Sequence, residues 1–238
     1  MSTLPEIRGK VTSNIDVLIR ATQPAINLDE PFYAINWFST KMEWLYHFYN
    51  FLAIRSVKKI GGVAFFKAKV TETIIDDTDG RRDLILIVHY PGGQQFKSLM
   101  ESTYFKIVSI FRVFSVKKFT FGFTHKLVAD PTSKKEDGLY YAIHHYKSNK
   151  DKAQTLQAIQ AILPKDISIK YGGQVIATLN SQEKNKPPEQ IPNLMDGLFI
   201  FQSSKEDSLQ SLFATKGYKD VLETLQSSHI SLLNRIKV

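Results

Sequence analysis

Two adjacent histidines, His144-His145, stand inside the apolar run from Leu139 to Tyr146. An imidazole titrates near neutrality, so such a pair suggests acid–base work or metal ligation. In a strand, however, neighbouring side chains point to opposite faces, and the two cannot easily share one ion. His89-Tyr90 closes a second apolar run, Leu84 to Val88, and Asn36 is a lone amide within a third, Phe32 to Phe38. Asn36, His89, Tyr90 and His144 are the candidate proton handlers. Trp37, Phe65, Lys67 and His145 are the candidate ligand contacts, with rings for a flat apolar body and an ammonium for an anionic group. Each has a plainer reading beside it. A strand-end histidine bonds to a loop, and Phe32, Tyr33, Trp37, Trp44, Phe65 and Phe66 read as core. Lys67 and Lys69 share one strand face and read as charges that protect a sheet edge. No P-loop, GxGxxG, HExxH or GxSxG spacing is present, and no metal site is expected.

The elements that position these residues follow from an internal repeat. Tyr33-Ala34-Ile35 recurs as Tyr141-Ala142-Ile143, and Gly61-Gly62 as Gly172-Gly173. The stretch from Ser98 to Val108 recurs from Ser211 to Val221, so the offset drifts from 108 through 111 to 113. Each copy reads as strand, helix, strand, strand, helix, strand. In the first, Thr40 and Glu43 form a capping box before a helix striped by Met42, Leu45, Phe48, Tyr49 and Leu52. Gly61-Gly62 stops that helix, and Val63 to Val70 resumes as a strand. The Asp- and Gly-rich turn 76–80 leads to Leu84 to Val88, a continuous run of the kind a central strand shows. A helical region through Phe96, Leu99 and Met100 resumes after Ser102, and Phe119, Phe121 and Phe123 alternate as an edge-forming strand.

In the second copy, Leu156, Ile159 and Leu163 stripe a helix that Pro164 stops. Gln174 to Leu179 and Gly197 to Phe201 read as strands, and Ser204 with Asp207 as a cap. The segment from His229 to Val238 reads equally as a strand or a helix end. The organisation is thus an extension over 1–28, repeats over 29–127 and 139–238, and a polar linker over 128–138.

Composition narrows the class. The 238 residues are 43% hydrophobic and contain no cysteine, which suits a packed core without disulfides or thiol chemistry. No apolar run is long enough for a spanning helix and no signal peptide is evident, so a cytoplasmic protein with no membrane partner is expected. The net charge of +8 invites a nucleic-acid reading, but it divides as +5 over the first 125 residues and +3 over the remainder. Short, separated basic pairs read as a solvated surface, and nucleic acid is disfavoured as a partner.

The doubled βαββαβ plan resembles the dimeric α/β-barrel superfamily of ferredoxin-like domains, an α+β fold with antiparallel sheets. Gly61-Gly62-Val63 and Tyr171-Gly172-Gly173-Gln174-Val175 resemble the paired glycine that opens the second strand in one uncharacterised branch. Arg81-Arg82, His89-Tyr90-Pro91 and Ser102-Thr103-Tyr104 resemble its third strand and the helix after it. The resemblance covers roughly 30–125 and 138–236, and it implies a barrel completed within one chain by stacking the two sheets. It further implies a small, largely apolar or aromatic ligand between the sheets and, if there is catalysis, oxygenation or isomerisation without a cofactor. A non-catalytic scaffold or protein-interaction module is the alternative.

Overall fold

The computed structural model describes residues 30–76, 82–129, 139–148, 152–180 and 195–236. The proposed 1–28 extension, the 130–138 part of the linker and the segment 181–192 lie outside them. In chain order the first half comprises β1 (Phe32–Thr40), α1 (Glu43–Lys59), β2 (Val63–Asp76), β3 (Leu84–Tyr90), α2 (Gly93–Glu101), α3 (Thr103–Ser115) and β4 (Val116–Ala129). The second repeats the order with β5 (Tyr140–Lys147), α4 (Lys152–Ile162), β6 (Ile167–Asn180), β7 (Gly197–Ser203), α5 (Glu206–Ala214), α6 (Lys216–Leu222) and β8 (Ser227–Arg235).

The strands close into one barrel in the order β1-β3-β2-β8-β5-β7-β6-β4. Every pairing is antiparallel. Within each half the order is fourth, first, third, second, as the ferredoxin-like plan requires. The halves do not simply lie sheet on sheet. They join edge to edge, β2 to β8 and β4 to β6. These seams correct two expectations: β4 is no edge strand, and Lys67 and Lys69 guard no open edge. Closure satisfies the backbone groups that an open sheet would leave bare.

Strand patterning follows from burial on both faces. In β1, Phe32, Ala34 and Phe38 pack under the helices, while Ile35 and Trp37 point into the barrel. All seven residues of β7 are buried, which is why it reads as an uninterrupted apolar run. Inside the barrel, Ile35, Phe66, Ile85, Ile87, Tyr141, Ile143, Tyr171, Val175, Leu198 and Ile200 form one packed cluster. Helices cover the outer face of each half and build two further cores.

Thr40 ends β1; the residue before α1 is Met42, with no side-chain cap, so the capping box does not form. Lys205, not Ser204, precedes α5 and likewise offers no side-chain cap. Ser102 and Thr215 are the capping side chains, accepting from the backbone N–H of Phe105 and Tyr218. The last segment is a strand. Trp44, assigned to the core, is 69% exposed.

The double glycine closes α1 through two reverse bonds, from Gly61 N–H to the Lys58 carbonyl and from Gly62 N–H to the Val57 carbonyl. Gly61 sits at φ +77°, a region glycine enters without steric cost. At Gly62 the demand is space: a Cβ there would lie 2.7 Å from Val57 Cγ1 and 3.0 Å from the Val57 carbonyl oxygen. Gly62→Ala should therefore lower the unfolding free energy by about 1–3 kcal/mol. Denaturant titration checks this, and a change within error would show that the turn yields.

Candidate functional site

A cavity of about 70 Å³ lies in the first half, between the outer face of the sheet and helices α1, α2 and α3. Ala53, Ile54, Val57, Val88, Phe96, Met100, Phe105 and Phe121 make its apolar wall. Asn36, Tyr46, Tyr49, Asn50, Lys67, Tyr90 and Arg112 add the polar groups. The volume falls short of the roughly 150 Å³ that holds a benzene ring. A ring ligand therefore enters only as the wall gives, and the unbranched Met100 is suited to that.

A β-bulge decides which side chains arrive here. The β2–β3 register shifts between Ala64 and Phe66. Strict alternation would put Phe65 and Lys67 on one face. Instead Phe65 and Phe66 both pack with the barrel interior, and Lys67 turns to the helix side.

Lys67 is almost fully buried, and its Nζ donates to His47 Nδ1 at 3.1 Å. That assignment leaves the His47 Nε2–H toward Glu43, 3.5 Å away, and Glu43 also pairs with Lys69 at 3.0 Å. A file of polar groups thus runs from the cavity wall to solvent. Burial pulls the Lys67 pKa below the ordinary lysine value, with Glu43 drawing it partly back. The Lys69 contact, before all else, lowers the pKa of Glu43. Desolvation raises Tyr46, Tyr49 and Tyr90, so all three phenols stay protonated. Asn50 Nδ2 is buried in the wall beside the Tyr46 phenol oxygen, whose anion it would favour as a donor, and meets no partner at full hydrogen-bond geometry. Asn36 is engaged, its Nδ2 donating to the Leu86 carbonyl at 3.4 Å.

The eight candidates divide into three places. Asn36, Tyr90 and Lys67 meet in the cavity. Trp37, Phe65, His89 and His145 face the barrel interior, where Tyr33, Phe65 and Tyr171 pack ring to ring around one end and His89 lies against Tyr33. Toward the other end the Trp37 ring lies 4.1 Å from that of His145 and 4.9 Å from that of His229. His144 lies under α6, bonded to the Tyr218 hydroxyl at 2.7 Å and to Ser228 Oγ at 3.1 Å. Burial pushes its pKa down to about 3, with His229 adding to the effect. The expectation that adjacent histidines face apart holds, and the first-half cavity lies outside the barrel, between the sheet and its helices.

Sequence reasoning missed His47, Asn50 and Arg112 as parts of a site, and read Glu43 only as a cap. The signal was there: Glu43, His47 and Asn50 are spaced by four and three on one helix. It also missed Asp76, His229 and Ser231. His229 Nδ1 meets Asp76 Oδ1 at 3.0 Å and its Nε2 meets Ser231 Oγ at 2.9 Å, the bond order of a hydrolytic triad. Ser231 is wholly buried, so no substrate carbonyl reaches its oxygen, and the array ties the β2–β8 seam instead. Among the described residues no cluster of His, Asp or Glu could hold a metal ion, and no helix is long and apolar enough to cross a membrane.

No family model and no curated protein matches the sequence. Solved structures do resemble the fold. A proposed monooxygenase from Fusobacterium nucleatum superposes with a TM-score of 0.53 at 10% identity, over 89% of this chain and 94% of that one. An anthrone oxidase-like protein superposes with a TM-score of 0.52 at 10% identity, over 88% and 92%. At such identity the likeness is one of architecture. The chain has the α+β fold of the dimeric barrel proteins, with a closed barrel of eight antiparallel strands.

Proposed function

We propose that the protein binds a small, flat, largely apolar molecule in the cavity between the first-half helices and the sheet, and that Lys67 exchanges a proton with it. The observation that carries this reading is a buried lysine at an apolar cavity with a file of proton-bearing groups behind it, Lys67–His47–Glu43. In its neutral form the amine can take a proton from an acidic C–H or O–H on an aromatic ligand. The ammonium so formed then stays beside the anion it has made. Such a carbanion or phenolate is electron-rich enough to be oxidised by dioxygen or to take its proton back at another carbon. Oxygenation and isomerisation are therefore the two chemistries the site suits. Asn50, which leans on Tyr46 in the cavity wall, would turn its amide to the ligand oxygen. Of the neighbours in fold, one is described as anthrone oxidase-like, which is consistent with an aromatic ligand, and one as a proposed monooxygenase, which is consistent with oxygenation.

The test uses anthrone and hydroxylated naphthoquinones as probes, followed by thermal shift and titration calorimetry. A ligand at about a hundred times its Kd should stabilise the fold by about 2.7 kcal/mol, a shift of several degrees. Ala53→Leu puts three more carbons into the cavity from the middle of α1 without cost to helix propensity. It should lower affinity at least about tenfold while the unliganded Tm stays within a few degrees. No shift with any probe, or an equal shift in the variant, would sink the reading.

A further inference from the structure

We infer that the outer face of α1 and α3 is a docking surface for an anionic lipid bilayer. Of the ten exposed large apolar side chains among the described residues, seven lie on these two helices or at the residue before α1. On α1, Trp44, Phe48 and Phe51 follow at spacings of four and three, the same side of successive turns. On α3, Tyr104, Ile107 and Phe114 follow at spacings of three and seven, again along one side. Phe48 and Phe111, with ring centres 5.4 Å apart, join the two stripes into one patch. The fold does not require such a face. The corresponding exposed positions of α4 are Gln154, Gln157, Ala158, Gln160 and Ala161.

Charge selects the occupant. The exposed line of α1 continues the aromatics with Lys41 on one side and Arg55, Lys58 and Lys59 on the other. Arg55 lies over the Phe51 ring at 4.8 Å, which keeps its cation beside the apolar stripe. The lone acid of α1, Glu43, is turned aside to Lys69, and α3 contains no acid at all. A second copy of the chain would meet this face through a two-fold axis and set basic rim against basic rim. An anionic headgroup layer matches both features, with tryptophan and phenylalanine entering the interface and lysine and arginine meeting phosphate. The patch lies on the outer sides of the same helices that wall the cavity, but it shares no side chain with the Lys67 file.

Trp44 is a built-in reporter, because the chain has two tryptophans and Trp37 is buried. The full chain is mixed with vesicles of phosphatidylcholine alone, or with about a third of the lipid as phosphatidylglycerol. The anionic vesicles should shift the emission to the blue and bind at least about tenfold more tightly than the neutral ones. Raising the salt from about 0.1 M to about 0.5 M should weaken binding at least about tenfold. Trp44→Phe should keep sedimentation with vesicles and lose the spectral response. Trp44→Ser with Phe48→Ser and Phe51→Ser should abolish sedimentation, while circular dichroism and probe binding in the cavity are retained. Arg55→Gln with Lys58→Gln and Lys59→Gln should weaken binding about a hundredfold. The inference is overturned by equal binding to neutral vesicles. It is overturned equally by a concentration-dependent dimer that the triple serine variant dissolves, or by Trp44 emission that is already that of a buried indole before lipid is added. Each of these outcomes leaves the cavity reading standing.

Discussion

Acidification from neutral pH to about 4.5 should lower the unfolding free energy by about 2.5 kcal/mol through His144 alone, with His145 adding to the loss. His144 and His145 are the cause. Both are fully buried, and desolvation before any charged neighbour holds His144 at about 3 and His145 well below the ordinary imidazole value of 6.5. Above 6.5 neither folded nor unfolded chain binds the protons, so stability is complete there. Below it the unfolded chain protonates while the native one does not, and each histidine costs about 1.4 kcal/mol per pH unit. For His144 the loss ends near its folded value of about 3. The carboxylates with lowered values, Glu43 and Asp166, start from 4.5 and 3.8, so they add to the loss only at more acid pH. The window between belongs to the histidines, with a fractional addition from the half-buried His89. His145 separates the effect cleanly. Neither of its ring nitrogens has a hydrogen-bond partner, so His145→Leu leaves no broken bond behind. That variant should be at least as stable at neutral pH and should lose about half of the acid slope. Denaturant titrations across pH decide the matter, and a wild-type stability that is flat down to about 4.5 would refute it.

Replacing Lys67 by methionine should reduce turnover of an acidic aromatic ligand, or affinity for its conjugate base, about a hundredfold. Affinity for the neutral form should change no more than about threefold. The separation follows from chemistry. Methionine keeps the unbranched apolar stem but has neither a proton acceptor nor a cation to hold an anion. The wild-type rate should rise as pH passes upward through the Lys67 pKa, because only the neutral amine accepts a proton. Burial brings that limb below the ordinary lysine range. The variant should lack it. Its stability should rise by about 1 kcal/mol or stay level, since a desolvated ammonium gives way to an apolar chain. A variant that keeps the full rate and the alkaline limb would remove Lys67 from the reaction.

Much of the architecture was legible because the strands bury both faces. Runs such as Leu84–Val88 and Gly197–Phe201 can be little else than covered strands, and the double glycines mark helix ends or close approaches. The seams were less so. Past Val70, β2 runs through Thr71, Glu72 and Thr73, three polar residues in a row, while its pairing with β8 continues to Asp76. It therefore read as the approach to a turn. The site was harder still. Period-two alternation places Phe65 and Lys67 together, and one bulge separates them. Thr40 and Glu43 have the spacing of a cap, but β1 continues through Thr40, which pairs with Val116 and whose N–H is taken by Asp83. Glu43 is thereby left for Lys69 and His47. Tertiary pairing overrode the local signal in both cases.

Closure of the barrel between two halves of one polypeptide has a kinetic and genetic consequence. A barrel assembled from separate subunits comes apart on dilution, exchanges partners, and shows every substitution twice. Here the β2–β8 and β4–β6 seams are intramolecular, so their effective concentration is fixed by the connecting chain and does not fall in a dilute cell. Each half is also free to change alone. The Lys67 file has accumulated on one side while a glutamine, Gln202, stands on the other where His89 would be, an asymmetry that no homodimer encoded by a single gene could hold.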